Sequence, residues 1–192
     1  MQSGKHKLPI GGNVIIIGDS FCYTRDKEWA WPNLLNATQI HSYPGACEYR
    51  LWQQAKKFTL YGDIPLIFVH TSPYRIHAID NTFHDDKIYS KSDIVITDAL
   101  DKRDHPDHSH LDWYVRYCFD QEYMLNMHKL LLEQIIKEYP NACHISWFDQ
   151  PLKEIKKINV KITPNLPCHM DQVNNKKAYE QVKCILSGKF TK

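Results

Sequence analysis

Val14-Ile15-Ile16-Ile17 is an unbroken run of β-branched residues, stopped at once by Gly18-Asp19-Ser20. Such side chains are stiff at χ1 and favour an extended backbone. A continuous apolar run, unlike an alternating one, belongs to a strand buried on both faces, and strands of that kind sit in parallel sheets whose crossovers are usually helices. This short segment therefore demands a helical layer on each side of it. The pattern recurs at Pro65 to His70, where Leu66, Ile67, Phe68 and Val69 run into Thr71-Ser72-Pro73.

The remaining chain alternates as that demand requires. The spacing predicts a strand over Asn13 to Ile17, a short helix over Trp29 to Ala37, and a strand over Gln39 to Tyr43 that stops at Pro44-Gly45. A helix over Glu48 to Tyr61 follows, with Leu51, Trp52, Ala55, Phe58 and Leu60 on its apolar face, and then the Pro65 to His70 strand. Leu111 to Tyr139 reads as one long helix stopped by Pro140, Ala142 to Phe148 as a strand, and Asn174 to Leu186 as a closing helix. Between them, Tyr74 to His110 is polar, rich in Asp and His, and longer than a connection needs, which predicts an insertion over one edge. The expected architecture is α/β, a three-layer α/β/α sandwich around a mainly parallel sheet, in one domain over residues 1–192 with an insertion at about 74–110.

Composition narrows the function. The chain is 43% hydrophobic and 24% charged, which fits a globular protein and neither a disordered nor a membrane class. Its 24 basic and 22 acidic residues leave a net charge of +2, too little for a nucleic-acid-binding field. The apolar runs are too short to span a bilayer, and the N-terminus lacks the pattern of a signal peptide, so a soluble protein is expected, cytoplasmic or virion-associated. Six cysteines without a CxxC pair predict free thiols.

Ligands of open parallel sheets bind beyond the carboxyl ends of the strands, where loops converge. Ser20 and the Thr71-Ser72 pair fall at such ends. A serine hydroxyl needs a base to become a nucleophile. His169, in a Pro-bracketed loop before the last helix, is the candidate.

Gly18-Asp19-Ser20-Phe21 after an apolar strand resembles the first block of the SGNH/GDSL hydrolases, whose serine is both nucleophile and oxyanion donor. Gly45 resembles the second block, where a glycine N–H faces the oxyanion, and the segment from His169 to Lys176 resembles the final block, which supplies the base. The resemblance implies a flavodoxin-like SGNH hydrolase fold, a cofactor-free and metal-free ester hydrolysis, Ser20 and His169 as catalytic residues, and N–H groups of Ser20 and Gly45 in an oxyanion hole. Asp19 reads as a structural support of the strand-to-helix corner.

The chain departs from the family at two places. The family's third block carries Gly-x-Asn, and here Thr71-Ser72-Pro73-Tyr74-Arg75 stands, which resembles a Thr-Ser-Pro-x-Arg form of virus-encoded members. The hydroxyls of Thr71 or Ser72, or the cation of Arg75, are the available substitutes for the Asn. Where the family has an Asp three residues before the histidine, this chain has Leu166, leaving a Ser–His dyad or an orienting role for a main-chain carbonyl, Asp149 or Asp171.

The implied substrate is a small ester or an acylated carbohydrate, most simply an O-acetyl group, and the 12% aromatic content suits a sugar. The alternative is a catalytically inactive binding or structural module on the same fold, a virion component, with homo-oligomers or an assembly partner left open. Other features read as structural. Asp104 to His110 and His84-Asp85-Asp86 hold metal-ligand residue types, but Pro106 and irregular spacing point to a solvated loop, with a metal-dependent hydrolase using the His105 to His110 loop as a third alternative. Cys22 and Cys168 read as buried thiols, with a Cys22 nucleophile or a redox pair as the alternative, and Trp29 and Trp31 either pack on the first helix or line a substrate groove.

Overall fold

The computed structural model describes residues 14–24, 26–58, 64–79, 81–83, 92–163 and 166–188. Its centre is a parallel sheet of order β2-β1-β3-β6-β7, formed by β1 (Ile15–Gly18), β2 (Gln39–Ser42), β3 (Leu66–His70), β6 (Cys143–Ser146) and β7 (Lys156–Lys157). β1 lies between β2 and β3, with Ile16 opposite Ile40 on one side and Ile67 on the other. All four residues of β1 are buried, which explains why its sequence is uniformly apolar up to the glycine.

Alternate side chains of the strands serve two different cores. Ile16, Ile67, Val69 and Ile145 pack with Trp31 of α1 (Trp31–Leu34) and with Ala178, Val182 and Leu186 of α6 (Gln172–Leu186). Ile15, Ile17 and Phe68 face the opposite way, onto Leu51 and Ala55 of α2 (Glu48–Phe58) and Ile135 of α5 (Gln121–Glu138). The protein is thus an α/β fold with helices on both faces of a parallel sheet.

Three elements differ from the sequence-based expectation. The single helix predicted over Leu111 to Tyr139 is two, α4 (His108–Tyr117) and α5. The Cys118 and Phe119 N–H groups both close on the Tyr114 carbonyl, and the Asp120 carboxylate accepts the Tyr123 N–H at 2.9 Å to start a new helix. β7 is two exposed lysines, too short and too polar to register as a strand, paired to Ile145 and Ser146 at a sheet edge. The polar stretch after Tyr74 contains β4 (Arg75–Ile76) paired antiparallel to β5 (Ile94–Val95), then α3 (Ile96–Leu100), and Phe83, Ala99 and Leu111 give this region a small core of its own. Asn13, Leu60, Tyr61 and His84-Asp85-Asp86 lie outside the described residues. No helix among the described residues is long and apolar enough to cross a membrane.

Gly18 shows how tightly β1 ends. A Cβ there would stand 2.4 Å from Cys22 Sγ and 2.7 Å from Val69 Cβ, and Val69 is fixed to the neighbouring strand. Gly18→Ala is therefore expected to cost about 1–3 kcal/mol through overpacking, read as a lower urea midpoint with an unchanged m-value.

Candidate active site

Ser20 opens a 3₁₀ turn (Ser20–Cys22) at the carboxyl end of β1. The turn is built on Asp19, whose side chain is fully buried. Its Oδ1 accepts the Phe21 N–H at 3.0 Å, while Oδ2 accepts the Thr71 hydroxyl at 3.0 Å and Nη2 of Arg75 at 2.8 Å. Arg75 then donates from Nη1 to the Ala46 carbonyl at 2.9 Å. One carboxylate and one guanidinium thereby join the ends of β1 and β3 to the loop after β2. Taking a charge pair out of water is costly unless its other hydrogen-bonding groups are met, and here both carboxylate oxygens and both terminal guanidinium nitrogens are, while Arg75 Nε is buried without a partner among the described residues.

This arrangement separates the expected substitutes for the missing Asn. The Thr71 hydroxyl and both terminal nitrogens of Arg75 are committed to the frame beneath Ser20. Ser72 is half-buried, and its Oγ accepts the Tyr74 N–H at 3.3 Å, a role that still leaves a hydroxyl its own proton to donate. Gly45 sits at φ +73°, a left-handed backbone that favours glycine, and a Cβ there would meet the Asp93 carbonyl at 3.0 Å.

His169 ends a second 3₁₀ turn, Pro167–His169, in which Cys168 and His169 both hold φ near 54°. Two consecutive left-handed residues with side chains are a strained conformation, and strain of this sort has to be over-determined by its surroundings. Here the Cys168 N–H donates to the Tyr23 carbonyl at 3.0 Å, the His169 N–H to Leu166 at 2.9 Å, and the Thr163 N–H to the His169 carbonyl at 2.6 Å. The first of these bonds ties the His169 turn directly to the turn of Ser20. The His169 and Phe21 rings lie 4.9 Å apart, so the two turns are neighbours at one rim of the sheet.

Asn175 and Trp31 fasten the same corner from behind. Asn175 Oδ1 accepts the Trp31 N–H at 3.0 Å and its Nδ2 donates to the Met170 carbonyl at 3.0 Å, while Trp31 Nε1 donates to the Phe21 carbonyl at 2.8 Å. Trp31 is fully buried and so packs rather than lines a groove. Asp171 caps α6 by accepting the Asn174 N–H at 2.7 Å, which holds its carboxyl below the usual range. Asp149 pairs with Lys157 at 2.6 Å on the surface.

Two buried polar groups were not legible beforehand. Asp93 accepts His77 Nδ1 at 2.9 Å, the Cys47 N–H at 2.7 Å and the Ala78 N–H at 3.0 Å, and it is gripped by Arg50 through Nη2 at 2.9 Å and Nε at 3.0 Å. Cys47, His77 and Asp93 are of metal-ligand type and close together. However, Arg50 already occupies the carboxylate, and burial followed by the charge of Asp93 pushes the Cys47 thiol up to about 12. This cluster anchors the segment after β3 to the start of α2. Of the three histidines in the Asp104 to His110 segment, His105 Nδ1 accepts the Asp107 N–H, His110 Nδ1 lies 3.7 Å from Asp107 Oδ1, and His108 Nε2 donates to the Leu100 carbonyl.

The second group is a chain of contacts under the end of β3. Glu48 Oε1 lies 2.6 Å from His70 Nδ1, His70 Nε2 lies 2.9 Å from His144 Nδ1, and His144 Nε2 meets the Tyr139 carbonyl at 3.1 Å. The other Glu48 oxygen accepts the Thr71 N–H at 3.2 Å. Its members come from separate elements, and only the polar residues at positions where neighbouring residues are apolar could have signalled them.

No family model matches the chain, and no curated protein matches it. Among solved structures, the chain is similar to a phospholipase A1 from Streptomyces albidoflavus NA297 at 12% identity, covering 94% of this chain and 76% of that one with a TM-score of 0.31, a likeness too remote to bear on activity.

Two outcomes follow from the site's construction. Arg75→Met leaves the Asp19 carboxylate buried without its cation and is expected to lose about 3–5 kcal/mol, whereas the double variant Asp19→Asn/Arg75→Met recovers part of that loss in chemical denaturation. Burial also pushes the Cys22, Cys143 and Cys168 thiols up, Cys143 to about 12, while Cys118 and Cys184 are exposed. A thiol-reactive dye is therefore expected to modify Cys118 and Cys184 quickly and the four buried thiols, Cys22, Cys47, Cys143 and Cys168, only on unfolding.

Proposed function

We propose that this protein is a serine ester hydrolase in which Ser20 is the nucleophile and His169 the general base. The observation that carries the reading is the pairing of two turns at one rim, one presenting Ser20 and the other His169, bonded through Cys168 N–H and the Tyr23 carbonyl. A parallel sheet places its ligands at this end of its strands.

In the proposed reaction the Ser20 oxygen attacks the ester carbonyl as His169 takes its proton. Negative charge gathers on the former carbonyl oxygen, where the N–H groups of Ser20 and Gly45 receive it, with the Ser72 hydroxyl replacing the missing Asn. Collapse breaks the ester bond, His169 returns the proton to the departing alkoxide, and water then frees the acyl group from Ser20 by the same steps in reverse. The chemistry asks for no cofactor.

For the substrate we propose an O-acetyl group on a carbohydrate. Tyr43, exposed and two residues before Gly45 in the chain, offers a flat apolar ring, the kind of surface on which a sugar stacks. The competing reading, a non-catalytic module, is favoured by Leu166 in the place of an Asp and by the commitment of Thr71 and Arg75 to the frame.

Turnover of p-nitrophenyl acetate separates the two. The esterase reading expects activity in the wild type and a loss of roughly a thousandfold or more in both Ser20→Ala and His169→Ala. Activity that survives Ser20→Ala, or none in the wild type, supports the module.

A further inference from the structure

The chain from Glu48 to Tyr139 admits a proton count. The Tyr139 carbonyl can only accept, so His144 Nε2 must carry a proton. Burial, then the neighbouring His70, pull His144 down to about 4, so its Nδ1 is a bare acceptor at neutral pH and His70 Nε2 must donate to it. That leaves His70 Nδ1 facing Glu48 Oε1 at 2.6 Å, a length typical of a charge-assisted bond, and this link needs a proton as well. Burial would raise the Glu48 carboxyl, but His70, with His128 and the Thr71 N–H, together outweigh it and hold it low, which suits a carboxylate accepting the short bond from His70 Nδ1.

One proton per link makes the chain fully bonded and electrically neutral. One proton more or fewer breaks a link and leaves a net charge in a layer where Phe68 stacks on both imidazoles, at 5.8 Å and 5.4 Å. The surrounding titratable groups are His128 of α5, bonded through Nε2 to Gln150, the Tyr139 side chain against Phe68, and the Asp19–Arg75 pair reached through the Thr71 hydroxyl.

The far end of the chain is the Thr71 peptide. Glu48 accepts its N–H, Gln150 Nε2 donates to its carbonyl at 2.9 Å, and its hydroxyl is held by Asp19. We propose that Glu48, His70 and His144 form a proton-locked strut that fixes Thr71 and so aims Ser72 at the reaction centre. The strut stands on its own geometry, and only its service to catalysis rests on the esterase reading, in which these three are positioning residues.

Glu48→Gln tests the lock without emptying the site. Its amide oxygen can accept the Thr71 N–H while its NH₂ donates to a bare His70 Nδ1, so every link survives with one proton moved. Glu48→Ala removes the strut. By NMR the wild type is expected to show hydrogen-bonded ring N–H signals at both nitrogens of His70, and Glu48→Gln only the one at Nε2. Hydrogen exchange at the Thr71 amide should stay slow in Glu48→Gln and accelerate roughly tenfold or more in Glu48→Ala, with p-nitrophenyl acetate turnover following exchange. A single ring N–H signal on wild-type His70, or unchanged Thr71 exchange in Glu48→Ala, would overturn the proposal. Should Glu48→Ala not fold, the His70 signals in Glu48→Gln still decide it. The expected signals and exchange without turnover in any form would support the strut and overturn the esterase reading alone.

Discussion

The Asp19–Arg75 ion pair is the constraint on which the rest of the site depends. Three segments distant in sequence, the end of β1, the loop after β2 and the loop after β3, have to meet at one point for a hydroxyl, a glycine N–H and a further donor to converge. Apolar packing brings the strands together but does not fix the backbone at their ends, because it has no direction. Directional bonds from a buried carboxylate and a buried guanidinium supply that precision. Arg suits the task because its planar fork reaches the carboxylate and a carbonyl at once and cannot lose its charge.

Around this pair the molecule uses buried polarity in layers. Glu48 and Gln150 hold the Thr71 peptide from either side, and Asp93 with Arg50 fixes the segment against which Gly45 packs. On the other face of the sheet, Asn175 fixes the start of α6 to Trp31, so the strained turn of His169 is braced by a helix rather than left to a loop. Each of these side chains would be costly if unpaired, which makes the corner cooperative: losing one partner strands another.

How much of this could be read from the chain alone depended on the range of the interaction. β1 and β3 were legible because burial on both faces writes itself into consecutive residues. Ser20, Gly45 and His169 were legible as candidates because each sits beside a local break, a strand end or a Pro-bracketed loop. The break between α4 and α5 was not, since Asp120 acts as a cap there only because Phe119 has already turned away. Neither were Glu48, His70 and His144, whose meaning lies in a register between α2, β3 and β6 that no local pattern encodes. Arg75 was visible as a cation near the site, but its direction, inward to Asp19 and Ala46, is a property of the fold.

The central claim is that the hydroxyl at the end of β1 is an activated nucleophile at a formed site. Treating the native protein with a fluorophosphonate and locating the adduct by peptide mass spectrometry tests it most directly. The account predicts one adduct, on Ser20, that disappears when the protein is unfolded before treatment. An unmodified Ser20 in the native protein, or labelling that persists equally in the unfolded chain, would contradict it.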